Sequence, residues 1–343
     1  MFYPEIAWAA PSRFASPGPS ICPTFAARIR NAYRVACQDF KGHGASGWAW
    51  IEGKNADLHA SLVDGDLADL AARLSDPRRT DLFFGFDHLC RSLLPADKQV
   101  YARQYEPMIG DMLLRLAESV GATPVWNPES MGTRIAATDI DALLDATSSA
   151  LEVPIDFPNP FTDEFGLASR RGIISIGAIH AVYYASRLRE LSRVYGGRVL
   201  EIGPGMGRTA YYARLMGLRD YTTVDLPLGN VAQAVFLGQA LPPDAVAMPG
   251  EPARPDQIKI ATPSSIAGNF FDLVFNSDSL PEMDRRHAEA YADEIVGSAK
   301  AFLSINHEAG TFNVRDLPQL ENRRVWRSPY WLRQGYVEEF FVM

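Results

Sequence analysis

A short apolar segment followed by three glycines at alternate positions constrains the fold of this chain more than any other feature. Residues 198–202 (RVLEI) form a strand pattern, Gly203, Gly205 and Gly207 follow, and after a helical pattern a second strand closes on Asp225. This order of strand, glycine turn, helix and strand is typical of a nucleotide-binding βαβ unit. It predicts a parallel sheet with a ligand at the carboxyl ends of the strands.

The residues around this turn distinguish between two cofactors. The dinucleotide fingerprint G-x-G-x-x-G needs a glycine where this chain has Arg208. Glu201, two residues before the first glycine, would repel a pyrophosphate and attract a ligand that carries an ammonium and a sulfonium group. Pro204 lacks the backbone N–H that a phosphate cradle uses. The sequence therefore favours S-adenosylmethionine (SAM), and an NAD-dependent oxidoreductase is the alternative.

The acidic and glycine residues of this region resemble motifs I and II of the class I SAM-dependent methyltransferases. The matching pattern is Glu201-x-Gly203-x-Gly205-x-Gly207, followed by Asp225. The resemblance implies that the first acid and the glycines hold the methionine portion of SAM, and that Asp225 binds the ribose hydroxyls. It also implies that Asn276, at the tip of the fourth predicted strand of the sheet, belongs to the cofactor site.

Three later segments resemble, more narrowly, a family of sugar O-methyltransferases. They are FDLVFNSDSLPEM (271–283), FLSINHEA (302–309) and RVWRSPYWLRQGYVEE (324–339). The resemblance covers about the last half of the chain, from Ile155 onward. It implies methyl transfer from SAM to a hydroxyl of a sugar, a polyol-like small molecule or a glycan precursor. N-methylation, C-methylation and a catalytically inactive binding protein remain alternatives.

Methyl transfer to a hydroxyl group needs a residue that removes the proton. His307, at the tip of the fifth predicted strand, is the predicted base because an imidazole ordinarily titrates near neutrality. Asp278 is the second catalytic candidate, as a base or as the partner that orients the histidine or the acceptor hydroxyl. Two structural roles remain open, since His307 could satisfy backbone groups at a strand end and Asp278 could cap a helix.

Four further residues are predicted to contact the acceptor. Asn306 and Glu282 lie beside the two catalytic candidates in sequence, although Glu282 equally suits a capping arrangement with Ser279. Arg171 and Trp331 are predicted contacts because arginine binds hydroxyl pairs or carboxylates and sugar rings stack on aromatic rings. Too few carboxylates converge at the predicted strand tips for a metal site, so no metal is expected.

The length of 343 residues, of which 47% are hydrophobic, allows one large or two medium domains. We expect an N-terminal helical cap over 1–154 and a SAM-binding domain over 155–343, with a Rossmann-like, mostly parallel sheet and a C-terminal antiparallel hairpin. Helices are predicted over 57–74, 80–94, 97–120 and 139–150. Residues 41–50 are predicted to form a turn, and residues 155–172 an ordered connection without regular structure.

Charge and composition exclude several classes of protein. A net charge of −8 argues against a protein that binds nucleic-acid backbone. Pro4 and Glu5 interrupt the apolar core that a signal peptide would need, so secretion is not expected. No apolar run has the roughly 18 residues of a membrane-spanning helix. The three widely spaced cysteines fit a reducing cytoplasm. The expected partner is a small molecule or glycan, without nucleic acid or membrane, and a homo-oligomer is left open.

Overall fold

The N-terminal part of the chain is mostly helical. The structure, a computed structural model, describes residues 12–15, 18–40, 47–93, 98–127 and 139–343. The helices of this part are α1 (Pro23–Asp39), α2 (Gly47–Lys54), α3 (Ala56–Val63), α4 (Leu67–Ser75), α5 (Lys98–Ser119) and α6 (Ile140–Leu151). Two of the predicted helices match α5 and α6 closely, and the carboxylate of Asp139 caps α6 by accepting hydrogen bonds from the backbone N–H groups of residues 141 and 142.

Two expectations for this region are wrong, and a third lies mostly outside the described residues. The helix predicted over 57–74 is two helices, because Asp66 caps a new helix by accepting from the backbone N–H groups of residues 68 and 69. Of the helix predicted over 80–94, residues 80–90 form turns and bends, residues 91–93 form a short 3₁₀-helix, and residue 94 lies outside the described residues. Gly85 has a left-handed φ of 88°, and the Asp81 carboxylate accepts from the backbone N–H of Ser92. Of the turn predicted over 41–50, residues 41–46 lie outside the described residues and the rest begins α2.

A small antiparallel sheet connects the beginning of the chain with its middle. It consists of β1 (Ser12–Phe14), β2 (Phe165–Ser169) and β3 (Gly172–Ile174), in that spatial order. The segment 155–172, expected to lack regular structure, therefore contributes most of a hairpin. Because β1 pairs with β2, this sheet joins residues from both sides of the predicted boundary at 154/155.

The second half of the chain forms an eight-stranded sheet flanked by helices. Its strands are β4 (Arg198–Ile202), β5 (Asp220–Val224), β6 (Val246–Ala247), β7 (Ile258–Ala261), β8 (Phe271–Ser277), β9 (Ala299–His307), β10 (Arg324–Pro329) and β11 (Tyr336–Val342). Its helices are α7 (Ile176–Tyr195), α8 (Arg208–Leu215), α9 (Pro227–Ala240), α10 (Ser279–Glu282) and α11 (Arg285–Ser298). Helices α10 and α11 are separate because the Asp284 carboxylate caps the start of α11.

The order of strands locates the crevice in which a ligand is expected. Across the sheet the order is β10-β11-β9-β8-β4-β5-β7-β6, parallel except for β11, which runs antiparallel to both neighbours. This confirms the predicted Rossmann-like α/β fold with a C-terminal antiparallel hairpin. From β4 the chain builds outward through β5 and then returns to place β8 on the other side of β4. Ligands of open α/β sheets bind where the order reverses, at the carboxyl ends of β4 and β8.

One hydrophobic core is shared by the helical region and one face of the sheet. Its fully buried side chains include Leu113 of α5, Val182 of α7 and Leu273 of β8. A second cluster, with Phe302 of β9 and Ile295 of α11, covers the opposite face. The N-terminal helices thus pack against α7 and α9, which flank the sheet, and can form a wall of a site at its edge. Within the described part of the chain, no helix combines the length and apolar character needed to cross a membrane.

Candidate functional site

The glycine turn after β4 adopts a backbone conformation that favours glycine at three positions. Gly203, Gly205 and Gly207 have φ values of 68°, 59° and 89°. A Cβ atom at position 203 would overlap the side chain of Ser279. Gly207 is the N-cap residue of α8. The turn therefore depends on the glycines that the sequence pattern singled out, and it lies at the point where the strand order reverses.

A cavity of about 650 Å³ separates this turn from the helical region. From the turn side it is lined by Glu201, Gly203, Gly205 and Thr209. Apolar and aromatic side chains of the helical region also line it; they include Phe86, Leu89, Tyr101, Tyr105, Met108 and Met112. The cavity, which we call the central cavity, is therefore built by residues that lie more than a hundred positions apart in the sequence.

Glu201 places a carboxyl group at the wall of the central cavity. The side chain is only 3% exposed, and its Oε2 accepts a hydrogen bond of 2.9 Å from the Tyr221 hydroxyl. Burial raises the pKa of Glu201 to about 7, and the negative charge of Asp225 acts in the same direction. Burial therefore disfavours the ionised form of this carboxyl group, and a bound cation would stabilise that form.

Asp225 lies at the end of β5, as the sequence predicts, but outside the lining of the central cavity. Its carboxylate accepts from the backbone N–H of Leu226 at 2.7 Å and from Gln233 Nε2 at 3.4 Å. The carboxylate packs against Gly229, where a side chain would overlap it. Burial raises the pKa of Asp225 to about 7. In this structure the side chain is turned toward the first residues of α9.

Asp278 lines the central cavity in an unusual backbone conformation. It follows β8 with a φ of 64°, a left-handed value that is uncommon for a residue other than glycine. Its Oδ2 lies 3.8 Å from Arg333 Nη1, and Arg333 lines the cavity as well. The side chain makes no capping hydrogen bond to α10, so the capping role is not observed. Strained residues of this kind concentrate at functional sites.

Asn276 and Asn306 are brought together inside the sheet, and neither lines the central cavity. Asn276 is fully buried and donates to the carbonyl of Ile202 at 2.9 Å. Asn306 Nδ2 donates to Asn276 Oδ1 at 3.0 Å and to Ser304 Oγ at 2.8 Å. Successive residues of a strand face opposite sides, so Ser277 reaches the cavity and Asn276 does not. These contacts do not support the cofactor role predicted for Asn276 or the acceptor role predicted for Asn306, and both roles stay predictions.

His307 lies at the end of β9, and its contacts are local. Nδ1 accepts from the backbone N–H of Ala309 at 3.2 Å, and the ring packs edge-on against Tyr336 with centroids 5.7 Å apart. The residue does not line the central cavity. These contacts correspond to the structural alternative, a histidine that satisfies backbone groups at a strand end. Glu282 lies at the end of α10 and also outside the cavity lining.

The other two predicted acceptor contacts have partners elsewhere. Arg171 bonds to Asp145, to Ser148 and, at 3.0 Å, to the carbonyl of Ile155, which fastens the β2–β3 turn to α6. Trp331 donates from Nε1 to Glu118 at 3.2 Å. Each side chain is bonded to an N-terminal helix, and neither lines the central cavity.

Sequence reasoning missed a buried ion cluster that closes one side of the cavity. Arg208 Nη1 lies 2.6 Å from Asp87 Oδ2, and its other terminal nitrogen bonds to Glu164. All three side chains are at least 88% buried. Asp87 is 121 positions from Arg208, so no local pattern could have paired them. The cluster fastens the turns of residues 80–93 and the β2 hairpin to the first residue of α8.

Sequence reasoning also did not identify His180, which lines the central cavity from α7. Its Nδ1 lies 2.7 Å from the hydroxyl of Tyr330, a residue 150 positions away. Tyr184, one turn later on the same helix, lines the cavity too, and its hydroxyl accepts from Ser277 Oγ at 3.0 Å. His180 and Tyr184 are four positions apart on α7 and so share one helix face, but no motif in the sequence marks them as site residues.

Among the residues that the structure describes, no three His, Cys, Asp or Glu side chains converge to hold a metal ion. No protein-family model matches the chain, and no curated protein matches its sequence.

Solved structures of methyltransferases are similar to about half of the chain. Magnesium protoporphyrin IX methyltransferase from Synechocystis PCC 6803, with bound SAM, is 15% identical, covers 47% of this chain and 77% of its own, and has a TM-score of 0.34. A glycopeptide N-methyltransferase complexed with sinefungin is 18% identical over 46% and 93%, with a TM-score of 0.33. The methyltransferase domain of bacterial CtHen1-CN is 10% identical over 48% and 99%, with a TM-score of 0.37. Similarity at this level does not determine a function. The function is therefore inferred from the residues that line the central cavity.

Proposed function

We propose that this protein is a SAM-dependent methyltransferase that acts on a hydroxyl group of a small molecule. The observation that carries the proposal is the buried carboxyl group of Glu201, which lines the central cavity directly before a turn of three left-handed glycines. When bound, SAM would supply an electrophilic methyl group on a sulfonium. Glu201 and the glycines at 203 and 205 would hold its methionine end.

The charges at the turn suit a cationic ligand better than a pyrophosphate. Arg208 directly follows the turn, and its guanidinium is already paired with Asp87 and Glu164. Glu201 adds a further acid, so a pyrophosphate would meet an excess of negative charge. The residues present therefore fit the ammonium and sulfonium groups of SAM, and they disfavour NAD.

Asp278 is the residue that we propose as the proton acceptor. It lines the cavity, its side chain is 38% exposed, and Arg333 lies near enough to stabilise its charge. His307 was predicted for this role, and its hydrogen bond to the backbone of Ala309 does not support it. A positioned base contributes about 10²–10⁴-fold to such a reaction.

A sugar or polyol-like acceptor, or a glycan precursor, remains our proposal from the sequence. Aromatic rings in the cavity wall, including Phe86 and Tyr105, support it because the C–H faces of sugars pack on such rings. The ion pair of Lys98 with Asp163, 2.6 Å apart, adds polar groups to the same wall. A cytoplasmic location, a cap over 1–154 and a homo-oligomer stay predictions.

Calorimetric titration with SAM, S-adenosylhomocysteine and NAD tests the cofactor. We expect both adenosyl ligands to bind and NAD not to bind. Binding of NAD alone would favour the oxidoreductase, and binding of none of the three would contradict the proposal. Methyl transfer to an amine but to no hydroxyl would correct the acceptor, and SAM binding without transfer to any acceptor would favour the inactive binding protein.

A further inference from the structure

His180 has one imidazole nitrogen with a partner and one without. The side chain is 6% exposed and lines the central cavity. Nδ1 is engaged with the Tyr330 hydroxyl at 2.7 Å, whereas Nε2 is buried and has no hydrogen-bond partner among the described residues. Buried polar atoms are nearly always hydrogen-bonded, so an unpaired one beside a cavity indicates a group that arrives with a ligand.

The orientation of this imidazole is fixed from several sides. Tyr330 is buried and holds Nδ1, and the ring of Tyr184 stacks on the imidazole with centroids 6.0 Å apart and an interplanar angle of 19°. Burial, reinforced by the positive charge of Arg333, lowers the pKa of His180 to about 3. The imidazole is therefore neutral at physiological pH and can form a hydrogen bond through Nε2 without carrying a charge into the cavity.

We propose that His180 Nε2 binds the hydroxyl group of the methyl acceptor. This inference rests on the proposed function and names the part of the site that recognises its substrate. Ser277 and Asp278, at the end of β8, line the same cavity, and the Tyr184 hydroxyl links His180's helix to Ser277. A hydroxyl bound to His180 therefore lies in the cavity that also contains the proposed proton acceptor.

The walls around this position define the rest of the acceptor. Met108, Ile109 and Met112 of α5 and the ring of Tyr184 line the cavity with apolar surface. An acceptor that fits is a ring with a hydroxyl at one edge and an apolar face. Phenols and cyclic polyols share this chemistry, and the experiment must separate them.

The test compares probes that differ by a hydroxyl, measured by ligand-observed NMR in the presence of S-adenosylhomocysteine. The probes are phenol, toluene and myo-inositol. We expect the wild type to bind phenol about tenfold more tightly than toluene, because a site built to bind a hydroxyl rejects the analogue that lacks it. His180→Leu should remove this preference and leave toluene binding unchanged, whereas His180→Gln should retain part of it. His307→Leu is the matched control and should behave as the wild type.

The outcomes separate the inference from the function on which it rests. A wild type that neither prefers phenol to toluene nor binds myo-inositol, or a phenol preference that survives in His180→Leu, overturns the inference even if SAM binds. A loss of toluene binding in both His180 variants overturns it as well, since it shows a structural role. Binding of myo-inositol that depends on His180 identifies a polyol acceptor, and binding of phenol alone identifies an aromatic one. Failure of SAM to bind in calorimetry contradicts the proposed function. The comparison of phenol with toluene still tests separately whether His180 binds a hydroxyl group.

Discussion

The ends of β4 and β9 carry similar sequence signals and have different environments. Each strand carries polar residues in its last two positions, Glu201 in β4 and Asn306 with His307 in β9. At β4 the sheet reverses its order, and Glu201 faces the central cavity. At β9 the antiparallel strand β11 pairs along its full length, with Tyr336 opposite His307, and the polar groups bond to their neighbours. A polar strand end is therefore available to a ligand only where the topology leaves a crevice.

The largest effect is expected at the ion cluster that joins the helical region to the turn after β4. Arg208→Met would leave Asp87 and Glu164 buried without their cation. Removing one partner of a buried ion pair costs about 3–5 kcal/mol. Urea unfolding should show this loss, while Arg193→Met, at an exposed arginine of α7, should change stability little. Equal stability of the two variants would show that the helical region does not depend on this contact.

The second-largest effect is expected from a substitution in the glycine turn after β4. Gly203→Val would force a branched side chain into a left-handed conformation and against Ser279. Displacement of the turn by about 1 Å is enough to weaken a precisely shaped site by about 10²-fold. Calorimetry should show this loss of SAM affinity, and Gly297→Ala, in α11 where a Cβ atom meets open space, should bind normally. Unchanged SAM binding in Gly203→Val would place the cofactor elsewhere.

A smaller effect is expected from the charge of Glu201. Its pKa of about 7 means that the carboxyl group is mostly protonated at pH 6 and mostly ionised at pH 8. Only the ionised form attracts a cation, so SAM affinity should rise about tenfold over this range. Glu201→Gln should flatten the rise, leaving any contribution of Asp225. A pH profile identical to the wild type would mean that Glu201 does not contact the ligand.

The same raised pKa has an opposite consequence for stability. The folded state holds the proton of Glu201 up to about pH 7, whereas the unfolded chain releases it near 4.5. Stability from this group is therefore complete below pH 4.5 and is lost as the pH rises toward 7. Glu201→Gln should lose less stability between pH 5 and pH 8 than the wild type does in thermal unfolding. A steeper loss in the variant would contradict the sign of the shift.

Backbone strain at the end of β8 predicts a change of about 1 kcal/mol. Asp278→Gly should stabilise the fold, because glycine adopts a φ of 64° without penalty, and it should abolish methyl transfer. Asn322→Gly is a matched control, since Asn322 has a φ of 63° on an exposed turn and lies outside the cavity. Both variants should gain stability in urea unfolding, and only the first should lose activity. Full activity in Asp278→Gly would remove this residue from the mechanism.

The smallest effect is expected at β9. His307→Ala removes an acceptor for one backbone N–H outside the central cavity, so SAM affinity and turnover should stay within about twofold of the wild type, as for most substitutions away from a site. Loss of turnover with normal SAM affinity would restore the original prediction that His307 is the base.

Local patterns in the sequence predicted the sheet and the turn, and they could not predict the cavity wall. The strand at 198–202, the glycines and Glu201 lie within ten residues, so their arrangement follows from the chain's own geometry. The contacts of Arg208 with Asp87 and of His180 with Tyr330 join residues 121 and 150 positions apart. The side on which Asn276 and His307 point depends on how β8, β9 and β11 pair, which spacing along one strand does not specify.

A crystal structure with S-adenosylhomocysteine tests the central claim most directly. We expect the methionine portion of the ligand to lie in the central cavity against Glu201, Gly203 and Gly205, with Asp278 facing its sulfur. A ligand bound at the end of β9, against Asn306 and His307, would contradict the claim that the crevice beside β4 is the methyl-donor site.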